Sequence, residues 1–380
     1  MQAKTQDSME NIPGRKLRIL MVTPRYFPYM GGVESHVYQV CRRMAALGHD
    51  MTVLTADPSG ELPKSEQVDG VNILRVKAWP RDRDYYFAPG MVQHIRSGKW
   101  DLMHVQSYHT LVPPIAMVTA LLARIPYVLT FHGGGHSSRL RHALRSFQRW
   151  TLRPFLAKAK RLIAVASFEI PLFSRELLIS PKKFALVPNG AELPHVERPT
   201  RSLLTDPLIA SVGRLERYKG HQRVIAAMPY VLAQNPNVRL WIAGGGPYEP
   251  ELRKLIEKLG LQESITIRAV PAAERETLAR ELSKASLFVL HSEYETHPIA
   301  VLEAVSLGVP ALVADTSGLS ELAAQGLATA IPLNCTDQQL AAAILDQLAN
   351  PRKPKPVKLP TWDECANDLL EIYQEVLAKQ

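Results

Sequence analysis

The chain has 380 residues, about two to three times an ordinary domain of roughly 100–150 residues, so two domains are expected and a single small module is excluded. Hydrophobic residues at 46 %, charged residues at 21 % and aromatic residues at 7 % exclude a wholly disordered chain, a collagen-like repeat and a multi-span membrane protein. The formal charge of +9 is uneven: residues 1–193 carry 26 Lys and Arg against 14 Asp and Glu, whereas residues 194–380 carry 19 against 22, so the first half should face something anionic.

The first ten residues hold Lys4, Asp7 and Glu10 and no apolar core, which argues against a secretory signal, and residues 1–15 read as a disordered lead. Cys41, Cys335 and Cys365 are far apart, with no C-x-x-C pair and no histidine at metal-ligand spacing, as expected of a reducing compartment. The longest apolar run, Leu111 to Ala123, is broken by Pro113-Pro114 and is shorter than the ~20 residues of a spanning helix. A cytoplasmic chain follows, at most peripheral on the inner face of the membrane.

Near-continuous apolar runs then alternate with helical-period segments, the mark of βαβ units and of parallel strands covered on both faces. Strands are predicted at Leu17–Thr23, Met51–Thr55, Val71–Val76, Leu102–Gln106, Tyr127–Phe131, Leu162–Ala166 and Phe184–Val187. A second set is predicted at Leu208–Val212, Arg239–Ala243, Ile265–Ala269, Leu287–Leu290 and Ala311–Ala314. Between Asn189 and Asp206 the pattern lapses into glycine, proline and charge, and Pro351–Pro360 is a second Pro/Lys-rich break. The expected fold class is therefore α/β, with two Rossmann-like, doubly wound parallel-sheet domains facing a cleft, over residues 1–193 and 194–360. Residues 361–380 form a helix whose Leu369, Leu370, Ile372, Tyr373 and Val376 share a face that returns to the first domain. Ligands of such sheets bind at the carboxyl ends of the strands.

Three segments there carry chemistry. After the first strand comes Pro28-Tyr-Met-Gly-Gly-Val-Glu34, with Gly31 and Gly32 opening a helix over Val33–Leu47; backbone N–H groups there can meet a phosphate or a sugar, although a tight turn alone would look the same. Ser211-Val-Gly-Arg-Leu-Glu-Arg-Tyr-Lys-Gly220 places Arg214 and Lys219 between a strand end and a helix start, where two cations can neutralise a diphosphate. Leu290–Pro310 contains Glu295 in a loop, Pro298 at the first position of a helix, and Glu303 inside that helix among apolar residues. A carboxylate there requires a partner, and a polyhydroxyl ligand supplies donors.

The ordered set P-Y-M-G-G-V-E-x-H-V, T-F-H-G, V-P-N-G, S-V-G-R-L-x-x-x-K-G, I-A-G-G-G-P and S-E-Y-E-x7-E-A-x-x-L-G-V-P-A-L-V-A resembles the retaining GT-B glycosyltransferases of family 4, from about Leu17 to Leu333. The resemblance implies a nucleotide-sugar donor of a hexose-type sugar, UDP- or GDP-linked, held mainly by the second domain, and a lipid-linked, glycan or small-molecule acceptor received mainly by the first. Arg214 and Lys219 would bind the donor diphosphate, Glu303 the ribose hydroxyls, and Glu295 would lie beside the donor sugar. The backbone of Thr296, His297, Pro298, Ile299 and Ala300 would meet sugar and phosphate, Gly31 and Gly32 would approach from the other domain, and His132 would flank the sugar. Glu295, His132, Arg214 and Lys219 are the implied catalytic set, in a front-face substitution with retention.

The resemblance implies no cofactor and no metal. Asp82-Arg-Asp84 matches a metal-binding D-x-D pattern but lies in a charged loop of the wrong domain. Thr296 stands where the family often has glycine, His297 where it has an aromatic or aliphatic residue, and Val270-Pro271 where a glycine often follows the strand. These departures fall where sugar and base would bind. A sugar-nucleotide epimerase or a silent nucleotide-sugar-binding member remains an alternative reading. Ser138–Arg161 holds eight Lys and Arg and no acid, with Leu140, Leu144 and Phe147 on one face and Trp150 near it. That pattern suits either a core-packed helix or an anionic membrane surface that delivers a lipid-linked acceptor. No RNA- or DNA-binding motif accompanies the charge, so nucleic acid is not expected.

Overall fold

A computed structural model describes residues 15–379 apart from 30, 81–85, 134–138, 192, 195, 197–205, 272–273 and 356–357, with only the backbone described over 139–147. The expectation for residues 1–14 and the Asp82-Arg-Asp84 pattern lie outside the described residues.

The first sheet is built from β1 (Arg18–Thr23), β2 (Asp50–Asp57), β3 (Ser65–Val68), β4 (Val71–Lys77), β5 (Leu102–Gln106), β6 (Tyr127–Thr130), β7 (Arg161–Ala164) and β8 (Phe184–Leu186). Their spatial order is β3-β4-β2-β1-β5-β6-β7-β8, and only β3 runs antiparallel to its neighbour. The crossovers are α1 (Gly32–Ala46), α2 (Met91–Ser97), α3 (Val112–Leu122), α4 (Arg139–Lys158) and α5 (Glu169–Leu177). The second sheet contains β9 (Leu208–Val212), β10 (Arg239–Ala243), β11 (Ile265–Ile267), β12 (Leu287–Leu290), β13 (Ala311–Asp315) and β14 (Thr329–Pro332), in the order β11-β10-β9-β12-β13-β14, all parallel. Its helices are α6 (His221–Gln234), α7 (Glu249–Lys258), α8 (Arg275–Ser283), α9 (Ile299–Ser306), α10 (Ser317–Ala324) and α11 (Asp337–Ala349), and α12 (Trp362–Ala378) closes the chain.

Each sheet is covered on both faces, with separate apolar clusters above and below it. This explains why the strands read as unbroken hydrophobic runs. In both sheets the order reverses about the first strand: β1 lies between β2 and β5, and β9 between β10 and β12. The crevice opens at such a switch point, outside the carboxyl ends of the two strands. The loops that leave β1, β9 and β12 are the three segments singled out above, so topology alone brings them to the crevices.

Several predicted boundaries shift. Leu17, Phe131, Val165, Ala166, Val187, Arg268 and Ala269 fall just outside their strands, and the helix expected over Val33–Leu47 spans Gly32–Ala46. Pro298 is the N-cap of α9 instead of its first helical residue. Strands β3 and β14 were absent from the sequence pattern; every residue of β3 is exposed, so an edge strand of this kind carries no hydrophobic signature.

Helix α12 follows a capping box at Thr361 and packs on the first sheet, not the second. Trp362, Cys365, Leu369, Ile372, Tyr373 and Val376 join Ile19, Met21, Val37, Val40 and Met44 in one cluster, whereas Leu370 is only half-buried. The Tyr373 hydroxyl lies 2.5 Å from His104 Nδ1 inside that core. The two chain crossings between the sheets run side by side, with the Ala191 N–H donating to the Pro360 carbonyl at 3.1 Å. Gly190 is required there because a Cβ would come 2.4 Å from the Trp362 nitrogen. Leu369 is fully buried in this cluster. Leu369→Ala should therefore lower the unfolding free energy by about 2–5 kcal/mol in urea titrations, and an unchanged midpoint would show that α12 does not complete the first domain's core.

Candidate active site

The β9 exit loop ends in a short 3-10 turn over Arg217–Lys219, and Gly220 then takes φ 78° to start α6. A Cβ on Gly220 would lie 1.9 Å from the His291 carbonyl oxygen, so the Lys-Gly step is fixed by the close approach of the β12 exit loop. That approach brings Lys219 against Glu295: Nζ donates to the two carboxylate oxygens at 2.7 and 2.9 Å, and Ser292 Oγ adds a third bond at 2.8 Å. The Glu295 N–H donates to Ser317 Oγ and its carbonyl accepts from the Gly318 N–H, both at 2.9 Å. Burial pulls the Lys219 ammonium down, but Glu295 outweighs it and the net shift is upward, so the lysine is charged. An ammonium has three donors and Glu295 takes two, which leaves one for a phosphate oxygen.

Arg214 lies across the crevice mouth, with Nη2 at 3.4 Å from the Tyr218 hydroxyl and 3.9 Å from Glu216. Burial lowers its pKa, and Tyr218, Glu34 and Glu216 more than reverse that, so it too is held charged. Gly31 faces it from the first sheet: a Cβ there would come 2.5 Å from Glu34 Oε2 and 3.7 Å from Arg214 Cδ. Gly32 opens α1 and faces Ile299 Cδ1 at 4.0 Å from an ideal Cβ position. Arg25, Tyr29, Arg214, Glu216 and Gly245 line a cavity of about 220 Å³ at this mouth. Ile299 and Ala300 begin α9, whose N-terminus carries no side-chain cap and lies opposite Gly32.

Glu303 is almost fully buried, as its apolar surroundings required, but its partner is a residue of the chain: Arg275, which opens α8, forms an ion pair with it. Burial raises the Glu303 pKa and Arg275 opposes that. Nothing in the local sequence signals Arg275, which is one of several charges on an exposed-looking helix 28 positions upstream.

The remaining expected residues meet where the two domains touch. Thr296 Oγ1 donates to the Gly133 carbonyl. His132 adopts φ 42° and lies 2.7 Å through Nε2 from Gln106 Oε1. Its ring meets His36 edge-on at 4.7 Å, and His36 Nδ1 is 2.8 Å from Asn189 Oδ1. Burial pushes His36 and His297 down to about 4 and His132 well below the usual range, so all three are neutral. His36 Nε2 and His297 Nδ1 are buried without a hydrogen-bond partner among the described residues. Buried polar atoms of this kind call for a partner.

Sequence reasoning also missed Glu169. It opens α5, is fully buried, and accepts from the Val165 N–H at 2.9 Å and the Gly133 N–H at 3.3 Å, anchoring the loop that Thr296 touches. From the other domain, Glu321 accepts from the Ser167 and Phe168 N–H groups at the start of the same helix, each at 3.4 Å. Among the described residues no three His, Cys, Asp or Glu side chains cluster closely enough to hold a metal ion.

The family model described as glycosyl transferases group 1 matches residues 197–359, and that described as glycosyltransferase family 4 matches residues 30–193. The chain belongs to the group 1 glycosyltransferases. It is 28 % identical over 321 residues to the GDP-mannose:cellobiosyl-diphosphopolyprenol alpha-mannosyltransferase of Xanthomonas oryzae, covering 81 % of each chain. It is also 28 % identical over 375 residues to the glycogen synthase of Mycobacterium tuberculosis, covering 88 % of this chain and 87 % of that one. The structure of a sucrose-phosphate synthase from Thermosynechococcus elongatus superposes with a TM-score of 0.78 at 21 % identity, covering 96 % and 100 % of the two chains. The enzyme therefore has the GT-B fold expected from its motifs.

Burial pushes the Glu169 carboxyl of this glycosyltransferase up to about 7, against the backbone donors that hold its ionised form. A folded value above the unfolded one means that its stabilisation is complete below about pH 4.5 and is lost as pH rises through about 7. The melting temperature should fall over that window in the wild type and should be flatter in Glu169→Gln; equal slopes would remove Glu169 from the account.

Proposed function

We propose that this enzyme is a retaining transferase that moves a hexose-type sugar from a UDP- or GDP-sugar to a lipid-linked acceptor without a metal ion. The observation that carries the reading is that Arg214 and Lys219, the latter held by Glu295, both lie on the exit loop of β9 at the second sheet's switch point. Two partly exposed, charged side chains and a helix dipole suit a diphosphate and would perform the task that a divalent ion performs elsewhere. The relative from Xanthomonas oryzae is named for GDP-mannose and a diphosphopolyprenol-linked acceptor, which favours a lipid-linked acceptor here.

In the proposed mechanism the bond between the anomeric carbon and the diphosphate oxygen breaks, both electrons going to the phosphate. The acceptor hydroxyl attacks the same face, and its proton passes to the departing oxygen. Charge grows on the diphosphate as this happens, and Arg214, Lys219 and the first turn of α9 stabilise it where it forms. Glu295, tied to Lys219 and Ser292, receives hydroxyls of the sugar and fixes the lysine. Glu303 takes the ribose hydroxyls while keeping Arg275, whose guanidinium has further donors. Neutral His132, His36 and His297 provide acceptor nitrogens around the sugar without adding positive charge beside the anomeric centre.

Incubation of the enzyme with UDP-, GDP-, ADP- and CMP-sugars in EDTA, without acceptor, should release free nucleotide slowly from one UDP- or GDP-hexose. Glu303→Ala should reduce kcat/KM for that donor roughly 10–100-fold, the worth of a hydrogen bond to a charged group. The transferred sugar should keep the donor's anomeric configuration by NMR coupling. Binding of none of the donors would overturn the transferase reading, and an inverted product would overturn retention.

A further inference from the structure

Two large aromatic side chains are exposed beside one another on the first domain. Trp79 follows β4, Phe87 precedes α2, and each donates its N–H to the other's carbonyl, at 3.1 and 2.8 Å. Residues that exchange both bonds in an antiparallel pair point their side chains to the same face, with Cβ atoms about 5 Å apart. The residues that alternate with them, Ala78, Tyr86 and Ala88, face the other way, into a core cluster of the first sheet. The bridged pair is therefore anchored, yet it leaves Trp79 and Phe87 each 47 % exposed. The other exposed aromatic side chains among the described residues, Trp150 and Tyr230, lie on α4 and α6. Helix α4 is core-packed through Leu152 and Leu156, as one of its two readings expected; Leu140, Leu144 and Phe147 lie outside the described side chains.

Topology places the pair on the crevice edge of the sheet. Strand β4 is parallel to β2, and β2 to β1, so β4 ends on the same edge as β1, two strands or about 10 Å from it. Arg75 of β4 donates through Nη2 to the Phe27 carbonyl at 2.9 Å, in the loop that leads to Gly31 and Gly32. The Ala78 N–H donates to the Asp57 carbonyl at the end of β2 at 3.1 Å. Lys77 is exposed on the same side as Trp79, with Nζ 5.8 Å from the centre of its ring, and has no ion-pair partner among the described residues.

The size and chemistry of this patch select its occupant. About half of each ring is exposed, roughly 200 Å² in all, well short of the ~800 Å² that each side of a stable protein interface buries. A pyranose ring has faces made of C–H bonds and a rim of hydroxyls. Its weakly positive hydrogens suit the negative faces of aromatic rings, and its rim suits an ammonium donor.

We propose that Trp79 and Phe87 form a shelf on which a sugar ring of the acceptor stacks, with Lys77 donating to its hydroxyls. The shelf stands away from Gly31 and Gly32, so the ring it holds is not the one that reacts, and the acceptor carries more than one sugar. The inference rests on the transferase reading and names the substrate class of its acceptor side.

The full-length enzyme is titrated with cellotriose, maltotriose and mannotriose, followed by saturation-transfer NMR and tryptophan emission. At least one trisaccharide should bind, with saturation strongest at the C–H protons of one ring. Trp79→Leu, which keeps apolar bulk and removes the ring, should weaken that binding roughly tenfold at an unchanged melting temperature. Trp79→Tyr should stay within about threefold of the wild type, because it keeps a ring face. Trp150→Leu, at an exposed tryptophan elsewhere on the domain, should leave the affinity as it is. Binding of none of the three sugars, equal binding by Trp79→Leu, or equal losses in Trp79→Leu and Trp79→Tyr would overturn the proposal. So would self-association or phospholipid-vesicle binding that Trp79→Leu abolishes, since the pair would then face a second copy or a lipid surface. UDP and GDP are titrated into the wild type in parallel: nucleotide binding without trisaccharide binding overturns the shelf alone, whereas trisaccharide binding without nucleotide binding overturns the transferase reading.

Discussion

The ion pair of Lys219 with Glu295 is the interaction on which the site depends. Both groups are largely withdrawn from water, and a carboxylate so placed is tolerable only because the ammonium and Ser292 satisfy it. Removing one partner of such a pair would leave an uncompensated charge costing about 3–5 kcal/mol. The pair joins the exit loops of β9 and β12, the two strands that flank the second sheet's switch point. It therefore fixes the crevice and leaves one ammonium donor of Lys219 unused there.

On the opposite wall burial keeps His36 and His132 uncharged, as it does His297 on the near side, and Glu169 holds the Gly133 loop through backbone donors instead of a cation. The domains touch through Thr296 with Gly133, Glu321 with the start of α5, and Phe168 against Tyr294 at 6.3 Å, beside the adjacent crossings at Ala191 and Pro360.

Much of this was legible in the letters because parallel strands buried on both faces leave unbroken apolar runs, and because loops at strand ends carry their glycines and cations in fixed order. Arg214, Lys219, Glu295 and Gly31 could be found in that way. Strand order could not, since the letters do not say which neighbours pair. Edge strand β3 could not, since Ser65–Val68 buries nothing. Glu303 was correctly read as requiring a partner, but Arg275 was invisible because only the packing of α8 on α9 brings them together. Glu169 resembled an ordinary acidic residue in the first turn of a helix, a place where acids serve the dipole, and only the folding of the Val165 and Gly133 loops around it shows that it is buried.

The most direct measurement is calorimetric binding of UDP and GDP to the wild type, Arg214→Ala and Lys219→Ala, each shown to be folded by circular dichroism. If the two cations form the diphosphate site, one nucleotide binds the wild type and each variant loses roughly 10–100-fold in affinity, the range for a charge-assisted hydrogen bond. A folded Arg214→Ala that binds the nucleotide as tightly as the wild type would contradict the account.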